Sequence, residues 1–338
     1  MIKKATVICV IILLMISCQK KAPQKIAFEK AFQIKDEIVI KETEELKLSG
    51  VQDPLKVKDK IYIPSYSTNR IYVCDLKGNL TDVINKNDEL ALRLPSQIGF
   101  YREKIYVNDQ GNHQIQVLDL NYKKESIIKI LGQTDKFFLI RDKADKLNIL
   151  AHGTQRDDKE VVLFKKFNDT YQQLLAFASP PRANIATWRS CLDSAENVYH
   201  INIIYKNIDV YNINGEYLRK IELNSPTLET LLDSKKLDDL TPTEIIAYLE
   251  DKSYAFIRNI NIYKDYIFIQ YENSVPKTSK YVLDIFNTNG DVIFPGIEMD
   301  DLILGVEKNK MTTLNNEVQK SASDKSGKIT LKEYQIAL

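Results

Sequence analysis

The chain has 338 residues, with 47 Lys and Arg against 46 Asp and Glu and a net charge of +1 at pH 7. So even a balance gives no support for nucleic-acid binding, which needs a basic face. No P-loop, Gly-x-Ser-x-Gly elbow or His-Glu-x-x-His motif is present, which sets aside the nucleotidases, serine hydrolases and zinc proteases that those motifs mark.

In chain order, the first element is a three-part leader. Lys3 and Lys4 make a positive start, Ala5 to Ile16 form a twelve-residue apolar run, and Met15-Ile16-Ser17-Cys18 closes it. A run that short does not comfortably span ~30 Å of hydrocarbon as a helix, so it reads as a signal segment. A small residue before a cysteine resembles the lipobox of bacterial lipoproteins. The resemblance implies a signal peptide over residues 1–17, a lipid on Cys18 and membrane attachment through it. Met15 departs from the more usual Leu. Loss of Lys3 and Lys4 would take 47 basic residues to 45 against 46 acidic ones, a net charge near −1. Residues 18–35 read as a tether. Gln19-Lys20-Lys21 lacks the acidic cluster that marks surface export among the bacterial lipoproteins this leader resembles, so the resemblance implies the periplasmic side of an outer membrane rather than the cell surface. Cys74 and Cys191 each lie in an apolar stretch and are expected as buried thiols rather than as a disulfide.

The body of the chain repeats. Lys60-Ile61-Tyr62-Ile63 runs through Asn69-Arg70-Ile71-Tyr72-Val73 to Asp75-Leu76, and forty-four residues later Lys104-Ile105-Tyr106-Val107 runs through Asn112 and Gln114-Ile115-Gln116-Val117 to Asp119-Leu120. Alternation of apolar and polar residues marks half-buried antiparallel strands. Weaker copies follow at Lys146–Phe164, Asn197–Tyr211, Tyr266–Phe286 and Leu302–Leu331. Asn214-Gly215 and Asn289-Gly290 read as two-residue type I′ hairpin turns. Six copies of three or four short strands predict an all-β fold, a six-bladed β-propeller of four-stranded antiparallel blades over residues 36–338. Glu37–Ile40 is expected to pair with the C-terminal strand near Tyr334–Ile336 and close the ring. Residues 224–255 break the repeat with helical spacing and a good helix start at Thr241-Pro242-Thr243-Glu244. They predict a small helical insertion between blades 4 and 5, a surface decoration or a lid over the channel.

Chemistry is sparse. His113, His152 and His200 fall eight, five and two residues after Ile105, Leu147 and Val198, so they are not expected to converge on a metal. Ala322–Gly327 with Glu333 has the outline of a calcium loop but puts Ala322 where an Asp is needed. The paired acids Asp157-Asp158, Asp238-Asp239 and Asp300-Asp301 read as solvated. Arg189 and Arg258 each stand nine residues before the apolar opening of the following strand, Val198 and Ile267. They are therefore expected at one channel mouth, joined by Arg141 and Trp188, as a site for a carboxylate, a sulfate or an acidic sugar.

The segments Ser67–Val73 and Asp109–Val117 resemble NHL repeats, and with the lipobox the chain is similar to the six-bladed propeller lipoproteins of Bacteroidota. That resemblance implies fold and location more than activity. The expectation is a monomeric, lipid-anchored envelope protein that needs no cofactor. It would bind a partner protein, an anionic glycan or a small ligand at one face, without catalysis. The alternative is a channel-based hydrolase or lyase of the NHL and paraoxonase-like kind, with fold analogy as its support. The leader reading has a direct check. Cys18→Ala is expected to move the protein from the membrane to the soluble fraction and to remove a lipid-sized mass from the mature N-terminus; an unchanged membrane fraction would refute it.

Overall fold

A computed structural model describes residues 28–338 apart from 131, 133, 142–145, 154–160, 168–169, 178–187, 203–205, 230–255, 273–279 and 318–326. The chain forms six four-stranded antiparallel sheets, arranged as the blades of a propeller. The first strand, β1 (Phe32–Lys41), belongs to the last blade. Blade 1 holds β2 (Leu55–Val57), β3 (Lys60–Ser65), β4 (Arg70–Asp75) and β5 (Leu80–Ile84). Blade 2 holds β6 (Pro95–Tyr101), β7 (Lys104–Asp109), β8 (Gln114–Leu118) and β9 (Lys124–Lys129). Blade 3 holds β10 (Lys136–Arg141), β11 (Leu147–His152), β12 (Val161–Phe167) and β13 (Thr170–Phe177). Blade 4 holds β14 (Trp188–Leu192), β15 (Val198–Asn202), β16 (Asn207–Tyr211) and β17 (Tyr217–Glu222). Blade 5 holds β18 (Phe256–Tyr263), β19 (Tyr266–Glu272), β20 (Tyr281–Asn287) and β21 (Val292–Met299). Blade 6 takes β22 (Leu302–Glu307), β23 (Lys310–Glu317) and β24 (Lys328–Ile336), and β1 completes it.

Period-two patterning decides which way each residue faces. In β7, Ile105 and Val107 pack toward blade 1, while Tyr106 packs toward blade 3. In β19, Ile267, Ile269 and Tyr271 pack toward blade 4, and Phe268 toward blade 6. Every blade–blade interface carries its own apolar cluster, so both faces of each sheet are covered. Closure follows the expected pairing in fuller form: Phe32 pairs with Ile336, Ile38 with Leu331 and Lys41 with Lys328. Thus β1 takes in the end of the segment read as a tether. The insertion begins with one helical turn, Pro226–Glu229. Its expected helix start at Thr241 lies outside the described residues. Buried Asp284 fixes that first turn, accepting from Ser225 Oγ and from Thr227 Oγ1 at 2.9 Å.

The hairpin turns correct one expectation. A type I′ turn needs positive φ at both central residues, yet in Asn214-Gly215 and Asn289-Gly290 only the glycines have it, at 78° and 88°. Each is instead a wider turn opened by an Asx side chain. Asn287 Oδ1 accepts from the amides of Asn289 (2.9 Å) and Asp291 (3.0 Å), and Asn212 does the same for Asn214 and Glu216. The Gly215 and Gly290 amides donate to the Asn212 and Asn287 carbonyls at 2.9 and 3.1 Å, the pattern of a type I turn with a bulge glycine, and a register irregularity follows in both fourth strands. Asp75 and Asp119 open the equivalent turns of blades 1 and 2. Gly290 is also a contact point, since a Cβ there would lie 2.0 Å from the Glu222 carbonyl oxygen of blade 4.

The segment that resembles an NHL repeat has a structural reason. Asp109, fully buried, accepts from the Arg93 amide (2.7 Å), Asn112 Nδ2 (2.9 Å), Gln114 Nε2 (2.6 Å) and Gln116 Nε2 (2.8 Å). One carboxylate thereby ties the crossover from blade 1 to the middle strands of blade 2. Asp109→Ala would strand several donors at once. It is expected to cost about 3 kcal/mol, since a buried donor left without a partner costs roughly 1–3 kcal/mol. Urea unfolding measures this; a loss below 1 kcal/mol would mean that water replaces the carboxylate.

Candidate functional site at the channel mouth

The inner strands β2, β6, β10, β14, β18 and β22 line the channel, and their first residues lie at one mouth. Neighbouring inner strands are joined there by polar latches. Gln97 of blade 2 donates to the Phe137 carbonyl (3.0 Å) and accepts from the Phe137 amide (2.7 Å) of blade 3. Asn259 of blade 5 donates to the Ile303 carbonyl of blade 6. Between blades 4 and 5 the latch is Arg189, whose Nε donates to the Arg258 carbonyl at 3.0 Å. The bond brings Arg189 and Arg258 together on neighbouring inner strands. Arg258 stands at a bulge between Ile257 and Asn259, and its Nε lies 3.7 Å from Glu272 Oε2 with the side chain 39% exposed. Burial, and then the positive charge of Arg258, pull the Arg189 pKa down, while Asp135, Asp53 and Glu272 oppose them. Burial pushes the Asp135 carboxyl up against the pull of Arg189. The mouth thus carries two guanidiniums among three carboxylates, with Arg258 the more exposed cation.

Of the other expected members, Arg141 lies elsewhere. Arg141 ends β10, at the opposite end from Lys136, and stands 5.1 Å over the Tyr101 ring. It belongs to the far mouth because the inner strands run in one direction through the ring. Trp188 opens β14 opposite Asn202; its side chain lies outside the described residues. Cys18, Asp157-Asp158, Asp238-Asp239 and Ala322–Ser326 also lie outside them. Glu333 is paired with Lys310 at 2.7 Å. Asp301, expected in water, is 4% exposed and accepts from Thr313 Oγ1 (3.1 Å), Asn315 Nδ2 (2.9 Å) and Tyr334 OH (3.1 Å), with Lys332 Nζ at 3.1 Å. Cys74 and Cys191 are buried free thiols.

Two of the histidines meet as a buried ring pair. His152 is 2% exposed and His200 1%, and their rings stand edge to face at 5.4 Å. Residues on β11 that face forward look at residues on β15 that face back, so a shift in phase between neighbouring strands brings these two together. Ser190 Oγ lies 2.7 Å from His200 Nδ1. His152 Nε2 is buried with no hydrogen-bond partner among the described residues. His113 sits apart in the turn before β8, with Nδ1 2.9 Å from the Gly132 carbonyl. Among the described residues, no three His, Cys, Asp or Glu side chains form a group able to hold a metal ion.

No family model and no curated protein matches the chain. Solved structures do match in fold. A protein of Bacteroides fragilis labelled as exported aligns over 94% of this chain and 98% of its own at 10% identity, with a TM-score of 0.59. A member of the DUF4221 family from Bacteroides vulgatus covers 91% of this chain and 99% of its own at 10% identity, TM-score 0.55. A streptogramin B lyase covers 89% of this chain and 88% of its own at 12% identity, TM-score 0.50. At such identities the likeness is one of fold.

The histidine pair makes an acid response measurable. Burial, with Arg189 and Lys136 adding to it, holds His152 down to about 3 from an ordinary 6.5, and burial beside His152 depresses His200 as well. Below pH 6.5 the unfolded chain takes up protons that the folded chain refuses, so stability falls as pH drops. The slope is about 1.4 kcal/mol per pH unit for each imidazole. Asp135, with its pKa raised, acts in the opposite sense and is common to wild type and variant. His152→Asn is therefore expected to flatten the decline in unfolding free energy between pH 6.5 and 5 by about one imidazole's share. Equal slopes in the two proteins would remove the pair from the acid response.

Proposed function

We propose that the chain is an exported propeller, held at the cell envelope by a lipid on Cys18, that binds an acidic ligand at the first-residue mouth of its channel without catalysis. The observation that carries this reading is the pairing of Arg189 with Arg258. Arg189 is spent on a backbone carbonyl and holds the neighbouring strand in place. Arg258 remains partly exposed beside it, presenting a guanidinium whose planar fork suits carboxylate or sulfate oxygens. Asp53, Asp135 and Glu272 temper the field, which selects a small acid or an acidic sugar over a polyanion.

The leader and the exported label of the Bacteroides fragilis neighbour support the location. Burial of Ser190 (3%) and His200 (1%) argues against using that pair as a nucleophile and base. A binding role needs no cofactor and no second copy of the chain.

Thermal unfolding of the purified protein with glutarate, glucuronate and a sulfated disaccharide tests the site. A ligand at 100 times its Kd adds about 2.7 kcal/mol. Stabilisation by one of these acids, lost in Arg258→Ala and kept in Arg141→Ala, is expected. Stabilisation that survives Arg258→Ala, or none with any acid, would exclude the mouth as the binding site.

A further inference from the structure

A second place on the ring has the features of a site and lies away from the channel. A groove of about 660 Å³ opens between blades 1 and 2. The crossover that enters blade 2 and the strands β8 and β9 form its walls. Arg93, Lys124 and Lys129 line it, against Asp88 as the one acid among the described lining residues. None of the three cations takes part in an ion pair among the described residues. This contrasts with nearby Lys104, which is paired with Glu125. Lys124 and Lys129 bound β9, and five residues of strand at ~3.3 Å each put their Cα atoms roughly 16 Å apart. A ligand that answers both must be extended.

The amides in the groove add a second kind of recognition. Gln114 and Gln116 line it too, and their NH2 groups are committed to Asp109 at 2.6 and 2.8 Å. Their oxygens remain as acceptors, and Gln116 Oε1 is buried with no hydrogen-bond partner among the described residues. No aromatic ring lines the groove among the described residues, so a bound sugar would be held by its charges and hydroxyls rather than by stacking. We infer that this lateral groove binds an acidic oligosaccharide: its sulfates or carboxylates would meet Arg93, Lys124 and Lys129, and its hydroxyls would donate to the glutamine oxygens. The groove lies between blades 1 and 2 and the paired arginines at blades 4 and 5, so the two sites stand or fall separately.

Titration of the purified protein with fluorescent dextran sulfate oligomers and oligogalacturonate, at low and at physiological salt, tests the inference. Both acidic probes are expected to bind and uncharged dextran is not. Lys124→Gln combined with Lys129→Gln is expected to weaken binding at least tenfold. Lys220→Gln with Lys328→Gln, which removes two cations elsewhere on the ring, is expected to leave it unchanged, as is Arg258→Ala. Both lysine variants are at the surface, and an unshifted melting temperature confirms that they fold. Equal loss in the two double variants would reduce the effect to net charge and overturn the site. Undiminished binding in the groove variant, or no binding of either acidic probe, would overturn it as well. Poly-glutamate binding as tightly as the acidic sugars would replace the saccharide with an acidic peptide surface.

Discussion

A four-stranded blade has two apolar faces and can cover neither of them alone. Everything else in this protein follows from the need to bury both. The alternation in β7 and β19 sends Ile105, Val107, Ile267, Ile269 and Tyr271 to one neighbour, and Tyr106 and Phe268 to the other. A row of such blades would still end in two uncovered faces, and only a closed ring removes them. The closing contact is β1 on β24, with residues 32–41 laid along residues 328–336. Because the strand that completes blade 6 comes first in the chain, the ends of the domain are fastened together, and the ring cannot open without losing a whole strand of hydrogen bonds.

Near the axis the problem changes from apolar burial to polar satisfaction. Inner strands crowd together at the channel, where backbone groups beside a neighbouring strand need partners. The chain supplies them with side chains: Gln97 bonds to Phe137, Asn108 to the Thr134 carbonyl (2.8 Å), Asn259 to Ile303, and Gln270 to the Asp301 carbonyl (2.7 Å) and the Ile303 amide (2.9 Å). These bonds fix how far apart successive inner strands sit. A rigid mouth is the consequence, and side chains placed there keep their positions relative to one another.

The sequence carries these two layers with unequal clarity. Period-two runs such as Lys104–Val107 and the closing strand Glu37–Ile40 read correctly, because burial on both faces leaves a regular pattern in one dimension. The matching strand positions of Arg189 and Arg258 were also legible, since each precedes the following strand's apolar opening by nine residues. Contacts that depend on facing direction across an interface were not. His152 and His200 differ in phase along their strands, which bears on a shared metal site and says nothing of whether the two rings meet. Residues facing forward from one blade meet residues facing back from the next, and that difference brings the rings to 5.4 Å. Asp301 misled for a related reason: two acids in a row look solvated, while its burial depends on Thr313, Asn315, Lys332 and Tyr334 from other strands. Arg141 misled through small differences in register, which placed it at the wrong end of β10.

The latch between blades 4 and 5 differs from its counterparts in kind. Gln97 and Asn259 join inner strands with neutral amides, which accomplish the same bonding without burying a charge. Arg189 performs that work with a guanidinium, and its depressed pKa records the desolvation and the repulsion from Arg258 that the choice entails. Asp135, Asp53 and Glu272 offset part of the cost, and Asp135 in turn is pushed up by its own burial. A neutral amide would serve the fold with fewer buried charges. Departures from local rules tend to cluster at functional or strained sites, and within the proposed binding role a charged latch beside the more exposed Arg258 is such a departure. In that proposal the charge of Arg189 contributes to the site, and its hydrogen bond to blade 5 fixes where the guanidinium sits.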